Sequence, residues 1–218
     1  MIKKTKNKQH NLLKGYIMLL YFAGSMILFE PSEECLTDFW SKGILRKLPV
    51  TSRNPRFIRA ASILRNSCEK NELSFRDMQE DYQELFSGTG NILAPPYESV
   101  YLNNQHSMLD KQTIEVREFY DAYGWKSRFR GKIPDDHVGI ELLFLTRIIE
   151  QYLNLDDEAC MVEMRKEIRR FLGQHLLSWV PGWNEHIQKY AKTLDYKGIG
   201  ALIHACIEDI DEIMSSSE

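Results

Sequence analysis

The chain has 218 residues, a hydrophobic fraction of 43%, a charged fraction of 27% and a formal net charge of −3. A chain of this length can bury a sizeable core, and its slightly acidic balance gives no bulk electrostatic case for binding nucleic acid. Seven prolines and twelve glycines are few for this length, which favours long helices over many short strands.

The N-terminal segment combines lysines with an apolar run, YIMLLYFAGSMILF at 16–29, as a secretory signal does. The run is too short to span a bilayer as a helix, and cleavage after the small residues 23–25 would leave an apolar stub. We therefore predict a first helix over 10–29 that is apolar on all sides and central in a bundle. A cytoplasmic protein without stable membrane insertion follows.

The other elements follow from the spacing of apolar residues and from proline and glycine. The predicted helices after the first cover 32–48, 55–70, 74–87, 106–124, 136–153, 158–178, 183–194 and 197–214. A double proline indicates an irregular loop over 91–104, and the basic stretch GWKSRFRG at 124–131 indicates a linker.

The fold class is therefore all-α, a single bundle of eight to ten helices with a mid-chain hinge. The predicted regions are an N-terminal helical region over 1–124 that includes the proline loop 94–102, a hinge over 125–134, and a C-terminal helical region over 135–218. The four cysteines are far apart and form no CxxC pair, so they are interpreted as free thiols, and no metal or other cofactor is implied.

The stretch KIPDDHVGIELLFL at 132–145 places acids and an imidazole directly before an apolar helix. Asp135 or Asp136 is predicted to cap that helix, because a carboxylate accepts hydrogen bonds from first-turn amides. His137 and Glu141 share a helical face that continues into apolar residues. Glu141 therefore needs a partner, either His137 or an incoming arginine.

The stretch APPYESVYL at 94–102 admits two interpretations. It is either a rigid turn that packs Tyr97 and Tyr101 on the bundle, or a loop that presents Tyr97, Glu98 and Tyr101 to a ligand. His175, in a later helix, is predicted to be a core histidine bonded to a carboxylate or carbonyl.

Two further functions stay open from the residues alone. His137 and Glu141 could serve a helical metal-dependent hydrolase, although HxxxE supplies only two ligands and no HExxH motif is present. The chain could also be a regulatory helical protein that binds a partner helix in a groove. No nucleophile elbow or phosphate-binding loop is found.

PPYESVYL at 95–102, PDDHVGIEL at 134–142 and HLLSWVP at 175–181 occur in an order and spacing that resemble the TorD/DmsD/NarJ-type redox-enzyme maturation chaperones. Ile133 and Trp183 depart from the usual pattern of that family. The resemblance implies a non-catalytic, cytoplasmic, all-helical chaperone that is monomeric or a domain-swapped dimer. Its implied partner is a molybdoenzyme catalytic subunit, bound through its twin-arginine signal peptide.

The resemblance also implies a peptide-binding set of residues. The hinge motif corresponds to Asp135, Asp136, His137 and Glu141, and the proline loop to Tyr97, Glu98, Ser99 and Tyr101. A twin-arginine peptide needs carboxylates beside an apolar groove. The hypothesis is that one aspartate caps the helix while the other, with Glu141, receives arginine. His137 would orient Glu141, and Tyr97, Tyr101 and Trp125 would line the apolar side of the groove.

Overall fold

The computed structural model describes residues 2–69, 75–88, 90–102 and 111–215. These residues form ten α-helices: α1 Ile2–Leu28, α2 Glu33–Leu36, α3 Pro55–Glu69, α4 Phe75–Tyr82, α5 Glu98–Leu102, α6 Lys111–Ala122, α7 Val138–Leu153, α8 Glu158–Phe171, α9 Val180–Tyr190 and α10 Leu194–Ser215. The predicted all-α bundle is confirmed, and the described residues contain no strand.

Two helices organise the core. α7 packs against α1 and α8, and α10 packs against α1, α3, α8 and α9. α7 is buried on most sides, because its apolar residues cover all of the helix except a polar stripe that includes Arg147 and Glu150. The first helix was predicted to hold that central position. α1 instead leaves one stripe exposed, on which Met18 and Tyr21 are exposed by 62% and 40%, and buries the rest of its apolar part.

Within the described residues, one segment is long and apolar enough to cross a membrane by length and composition, Lys8–Leu28 in α1. Most of this segment is buried in the bundle. The buried helices of soluble cores pass the same test of length and composition, so the burial agrees with the predicted core helix.

Several helix boundaries differ from prediction for local reasons. In the helix predicted over 32–48, the α-helical part ends at Leu36. A π turn, Thr37–Ser41, and a short 3₁₀ turn, Ile44–Arg46, follow it, and Gly43, whose φ is 71°, separates the two. The helix predicted over 183–194 begins earlier, at Val180, and Pro181 lies in its first turn, where a proline removes no needed donor. The start of the helix predicted over 74–87, at Ser74, lies outside the described residues.

The N-terminal end of α7 contacts the C-terminal end of α1 closely. A Cβ atom at Gly139 would lie 2.4 Å from Leu28 Cγ and 2.9 Å from the Gly24 carbonyl oxygen. Only glycine permits this approach, which fixes the start of α7 against α1. Because α1 packs on α7 and α10, the regions before and after the predicted hinge share one core. The hinge itself stays a prediction.

Candidate functional site

The proline loop and the start of α7 are joined by backbone hydrogen bonds. The Glu98 amide donates to the Asp136 carbonyl over 3.0 Å, and the Val138 amide donates to the Pro96 carbonyl over 2.9 Å. Together these bonds form an isolated antiparallel bridge. The two motif stretches at 94–102 and 132–145 therefore meet. The loop was predicted to contain no helix, but α5 begins directly after its prolines.

The helix caps at this junction also differ from prediction. His137 is the N-cap of α7, and its Nδ1 accepts a hydrogen bond of 3.0 Å from the Gly139 amide. The prediction that Asp135 or Asp136 caps this helix is wrong, because the imidazole lies over the first-turn amides. Asp136 Oδ2 instead accepts from the Ser99 amide over 3.1 Å, so it caps α5 from across the junction.

Asp135 is buried and is paired with cations of its own chain. Its Oδ2 lies 2.6 Å from Arg117 Nε and 3.8 Å from Arg130 Nε. Its backbone carbonyl accepts a hydrogen bond of 3.0 Å from the Tyr120 hydroxyl. These partners compensate the charge of a buried carboxylate, whose other oxygen has no donor among the described residues.

Glu98 and Glu141 form a second buried acidic pair, in the first turns of α5 and α7. Glu98 Oε2 lies 3.1 Å from His175 Nδ1, and Glu141 Oε2 accepts from the Trp179 indole over 3.2 Å. The expectation that His175 is a core histidine bonded to a carboxylate is confirmed. No lysine or arginine of the described chain is hydrogen-bonded to either glutamate, in contrast to Asp135.

The two glutamates are coupled electrostatically. Burial raises the pKa of Glu98, and the neighbouring His175 opposes that rise. Burial, followed by the charges of Glu98 and Asp136, raises the pKa of Glu141 well above its ordinary value. Glu141 Oε1 has no N–H or O–H donor among the described residues. The raised pKa of Glu141 means that it keeps its proton to higher pH than an exposed glutamate does, which removes one buried charge.

His137 does not orient Glu141 as was expected. Its Nδ1 is occupied by the Gly139 amide, whereas Glu141 is bonded to Trp179. Burial lowers the pKa of His137 to about 3, so the ring is neutral at physiological pH. The imidazole therefore acts as a helix cap and as an edge contact for Tyr97, whose ring centroid is 5.2 Å away.

A cavity of about 500 Å³ opens between α5, α6 and the π turn Leu172–Leu176. Three glutamates line it, the buried Glu98 and the exposed Glu115 and Glu118. His175 also reaches the lining and is buried. Carboxylates therefore stand at both the inner and the outer end of the cavity.

The remaining cavity lining adds one cation and several apolar groups. Arg170 is paired with Glu167, and its guanidinium carbon lies 4.3 Å from the centroid of the Phe119 ring. Leu102 lines the cavity and is 39% exposed, and Ile114, one turn before Glu118 on α6, is 49% exposed. Glu115 is paired with Lys111 at 3.1 Å on the exposed surface of α6. The cavity thus combines carboxylates with exposed apolar surface.

The predicted aromatic residues lie in different places. Tyr97 contacts His137, and Tyr101 stacks on Trp179 with ring centroids 5.5 Å apart. Trp125 instead packs on core aromatic rings and lines a separate cavity beside α1. The structure thus brings Tyr97, Tyr101, Glu98, Ser99, Asp136, His137 and Glu141 to one junction, beside which Asp135 is paired with arginines.

Sequence reasoning missed Glu115 and Glu118. Both lie in a helix that was predicted, and with Phe119 and Ala122 they form one face at three- and four-residue spacing. That spacing places them on one face of the helix but does not show that the face meets a cavity. The metal-binding alternative finds no support here, since the described residues contain no group of three His, Cys, Asp or Glu side chains that could hold a metal ion.

Comparison with known proteins gives concordant results. Residues 55–185 match the family model described as nitrate reductase delta subunit. The chaperone protein TorD of Psychrobacter sp. is 28% identical over 65% of this chain, and TorD of Aliivibrio salmonicida is 25% identical over 77%. These matches span 64% and 79% of the respective relatives, so the first falls short of two thirds of its length.

Two further matches agree. A Haemophilus influenzae protein named "Probable Tat proofreading chaperone DmsD" is 21% identical over 82% of this chain and 81% of its own length. A crystal structure of a redox enzyme maturation protein from Archaeoglobus fulgidus superposes with a TM-score of 0.52 at 18% identity. That superposition covers 88% of this chain and 93% of the other, and it shows a shared fold.

Proposed function

Because the chain belongs to the nitrate reductase delta subunit family, we propose that it is a cytoplasmic, non-catalytic chaperone for a molybdenum-cofactor oxidoreductase. It binds the N-terminal twin-arginine signal peptide of that client and assists maturation before export. The names of the similar proteins, chaperone TorD and Tat proofreading chaperone DmsD, support this class of function.

One observation carries the proposal of a peptide site, namely the cavity that joins Glu98, Glu115 and Glu118 to exposed apolar residues. A twin-arginine peptide presents two guanidinium groups followed by an apolar stretch. Guanidinium binds carboxylates through paired hydrogen bonds, most strongly where water is excluded. In this proposal Glu115 and Glu118 attract the arginines at the entrance, Glu98 receives one of them inside, and Leu102 and Ile114 contact the apolar stretch.

The other predicted residues then support the cavity from behind. Asp136 holds the first turn of α5 through the Ser99 amide, and His137 holds the first turn of α7. Glu141 adjusts the charge of Glu98 by sharing its proton. Entry of a guanidinium beside Glu98 favours the ionised carboxylate, so binding releases a proton. Trp125 lies at a different cavity and has no part in this arrangement.

Calorimetric titration with a synthetic twin-arginine signal peptide tests the proposal. A second peptide, in which both arginines are replaced by lysine, keeps the charge and lacks the planar guanidinium groups that form paired hydrogen bonds. We expect the arginine peptide to bind more tightly, Glu98→Gln to weaken it about tenfold or more, and Glu118→Gln to weaken it about two- to fivefold because that carboxylate is exposed.

Glu163→Gln is the matched control, since Glu163 is an exposed carboxylate on α8 outside the cavity. It should leave the affinity unchanged. Equal affinity for both peptides, or equal effects of Glu98→Gln and Glu163→Gln, would contradict the proposed site.

A further inference from the structure

The basic segment 124–131 is folded against the bundle by its own turns. Ser127 is buried, and its Oγ accepts a hydrogen bond of 3.1 Å from the Phe129 amide. The Arg130 amide donates to the Ser127 carbonyl over 3.1 Å, and the Lys132 amide donates to the Phe129 carbonyl over 2.8 Å. The segment therefore presents its side chains from an ordered backbone, which lowers the entropy lost when a ligand binds.

A cavity of about 370 Å³ lies between this segment, the C-terminal end of α1 and α7. Three aromatic side chains line it, and two of them, Tyr21 and Phe29, are 40% and 43% exposed. The third, Trp125, is half-buried and packs on core rings. Exposed aromatic groups around a concavity are the usual anchors of protein interfaces.

The charges around this cavity are all positive. Lys126, Arg128 and Arg147 line it, and no carboxylate does. Arg128 lies over the Phe129 ring at 4.8 Å, and Arg147 approaches Glu150 only at 4.0 Å. These cations remain available to a ligand, although the chain as a whole has a net charge of −3.

We propose that this basic aromatic cavity binds an acidic peptide segment of a partner protein, anchored by an aromatic or large apolar residue. Carboxylates of the segment pair with Arg128 and Arg147, and the anchor residue inserts between Tyr21, Phe29 and Trp125. Aromatic burial supplies affinity, and the arginines supply selection for acidic residues. The inference is independent of the twin-arginine proposal, because its ligand carries the opposite charge and binds another face.

The shape of the surface favours a peptide over an anionic membrane. A cavity lined by aromatic groups accepts single side chains of a ligand, whereas membrane-binding helices bury a broad apolar face in the lipid. Nucleic acid is a poor fit to a cluster of three cations on an acidic chain. Membrane binding is nevertheless kept as an outcome of the experiment.

The experiment measures binding of short fluorescein-labelled synthetic peptides to the full chain by anisotropy. One peptide carries glutamates around a single phenylalanine, a second carries lysines in their place, and a third replaces the phenylalanine by serine. We expect the first peptide to bind at least tenfold more tightly than either of the others. Its affinity should fall as salt is added. The double variant Arg128→Glu, Arg147→Glu should lose at least tenfold in affinity, and Phe29→Ser severalfold.

Arg59→Glu is the matched control, because Arg59 is an exposed cation on α3 outside this cavity, and it should bind as the unaltered chain does. Thermal unfolding confirms that each variant is folded. Absence of binding to the unaltered chain, or equal binding of the lysine peptide, overturns the proposal. Binding to phosphatidylserine vesicles that depends on Arg128 and Arg147, without binding of the acidic peptide, also overturns it and assigns the surface to membranes.

Discussion

Asp135 and Glu141 lie on either side of the start of α7, and both are buried, yet their surroundings differ. Asp135 has Arg117 at 2.6 Å and a second arginine nearby, whereas Glu141 has an indole N–H and another carboxyl group. The first is a closed ion pair that holds the fold. The second has no cation of its own chain hydrogen-bonded to it among the described residues, and in our proposal its neighbour Glu98 receives one from the ligand. Burial and acidity alone therefore do not identify a binding carboxylate; the absence of a resident cation is the distinguishing property.

The largest expected effect comes from replacing Asp135 by its amide, with the same replacement at Glu141 as the comparison. Asp135→Asn removes the buried anion that Arg117 binds, and because the Arg117 side chain is 43% exposed and can be hydrated, the free energy of unfolding should fall by about 2 kcal/mol. Glu141→Gln replaces a carboxyl that already retains its proton and keeps an acceptor for Trp179, so it should cost less than about 1 kcal/mol. Urea unfolding followed by circular dichroism measures both, and the reverse order would refute the comparison.

The pH dependence of stability separates His137 from Glu141. His137 has a pKa of about 3 when folded against an ordinary 6.5, so the folded state binds fewer protons between these values. Its contribution is fully present above 6.5 and is lost as the pH falls, by at most about 1.4 kcal/mol per pH unit. Glu141 has a raised pKa, so its contribution is lost as the pH rises above 4.5.

These opposite slopes can be removed one at a time. His137→Asn keeps a capping acceptor and should reduce the loss of stability as the pH falls below 6.5. Glu141→Gln should reduce the loss of stability as the pH rises above 4.5. Unfolding free energies of the unaltered chain and both variants between about pH 4 and pH 8 provide the test. If the His137→Asn protein loses stability at acid pH as the unaltered chain does, another group causes that loss.

The affinity for a twin-arginine peptide should rise with pH, as Glu98 becomes ionised. Because the pKa of Glu98 is raised by burial, the free chain must release a proton when a guanidinium binds beside it. Affinity should therefore rise with pH above 4.5, by about tenfold per unit at most, and Glu98→Gln should abolish the slope. Calorimetry in two buffers of different ionisation enthalpy counts the released proton directly.

A modest effect is expected from the cap of α5. Asp136→Ala removes the acceptor of the Ser99 amide and should cost about 1 kcal/mol, whereas Asp136→Asn should recover most of it. If Asp136 bound arginine directly, Asp136→Asn would weaken peptide binding as much as Asp136→Ala. If it acts as a cap, peptide affinity should follow the stability of the loop, and the asparagine variant should bind nearly as the unaltered chain does.

Local sequence patterns predicted much of the fold. The helix over 55–70 and the helix that begins near 136 follow from apolar spacing and proline, and the structure places them at Pro55–Glu69 and Val138–Leu153. The caps could not be predicted in this way. Whether an aspartate or His137 covers the α7 amides depends on the bridge to Pro96, which is a contact between distant segments of the chain.

The candidate site shows the same limit. The junction of the proline loop with α7 was inferred from a family resemblance, and a partner for His175 was inferred from its place on an apolar helix face. The roles of Glu115 and Glu118 depend on how α6 packs beside α5 and the Leu172–Leu176 turn. No spacing within α6 reveals which of its faces meets a cavity, so the exposed glutamates looked like ordinary surface charge.

The hydrogen bond from the Trp179 indole to Glu141 has a practical consequence. A buried tryptophan emits at a wavelength set by its surroundings, and here a carboxyl oxygen lies 3.2 Å from the indole nitrogen. Deprotonation of the glutamate pair, or arrival of a cation beside it, therefore shifts the emission of Trp179. The chain thus contains its own optical sensor at the back of the cavity, and its occupancy can be followed without a label.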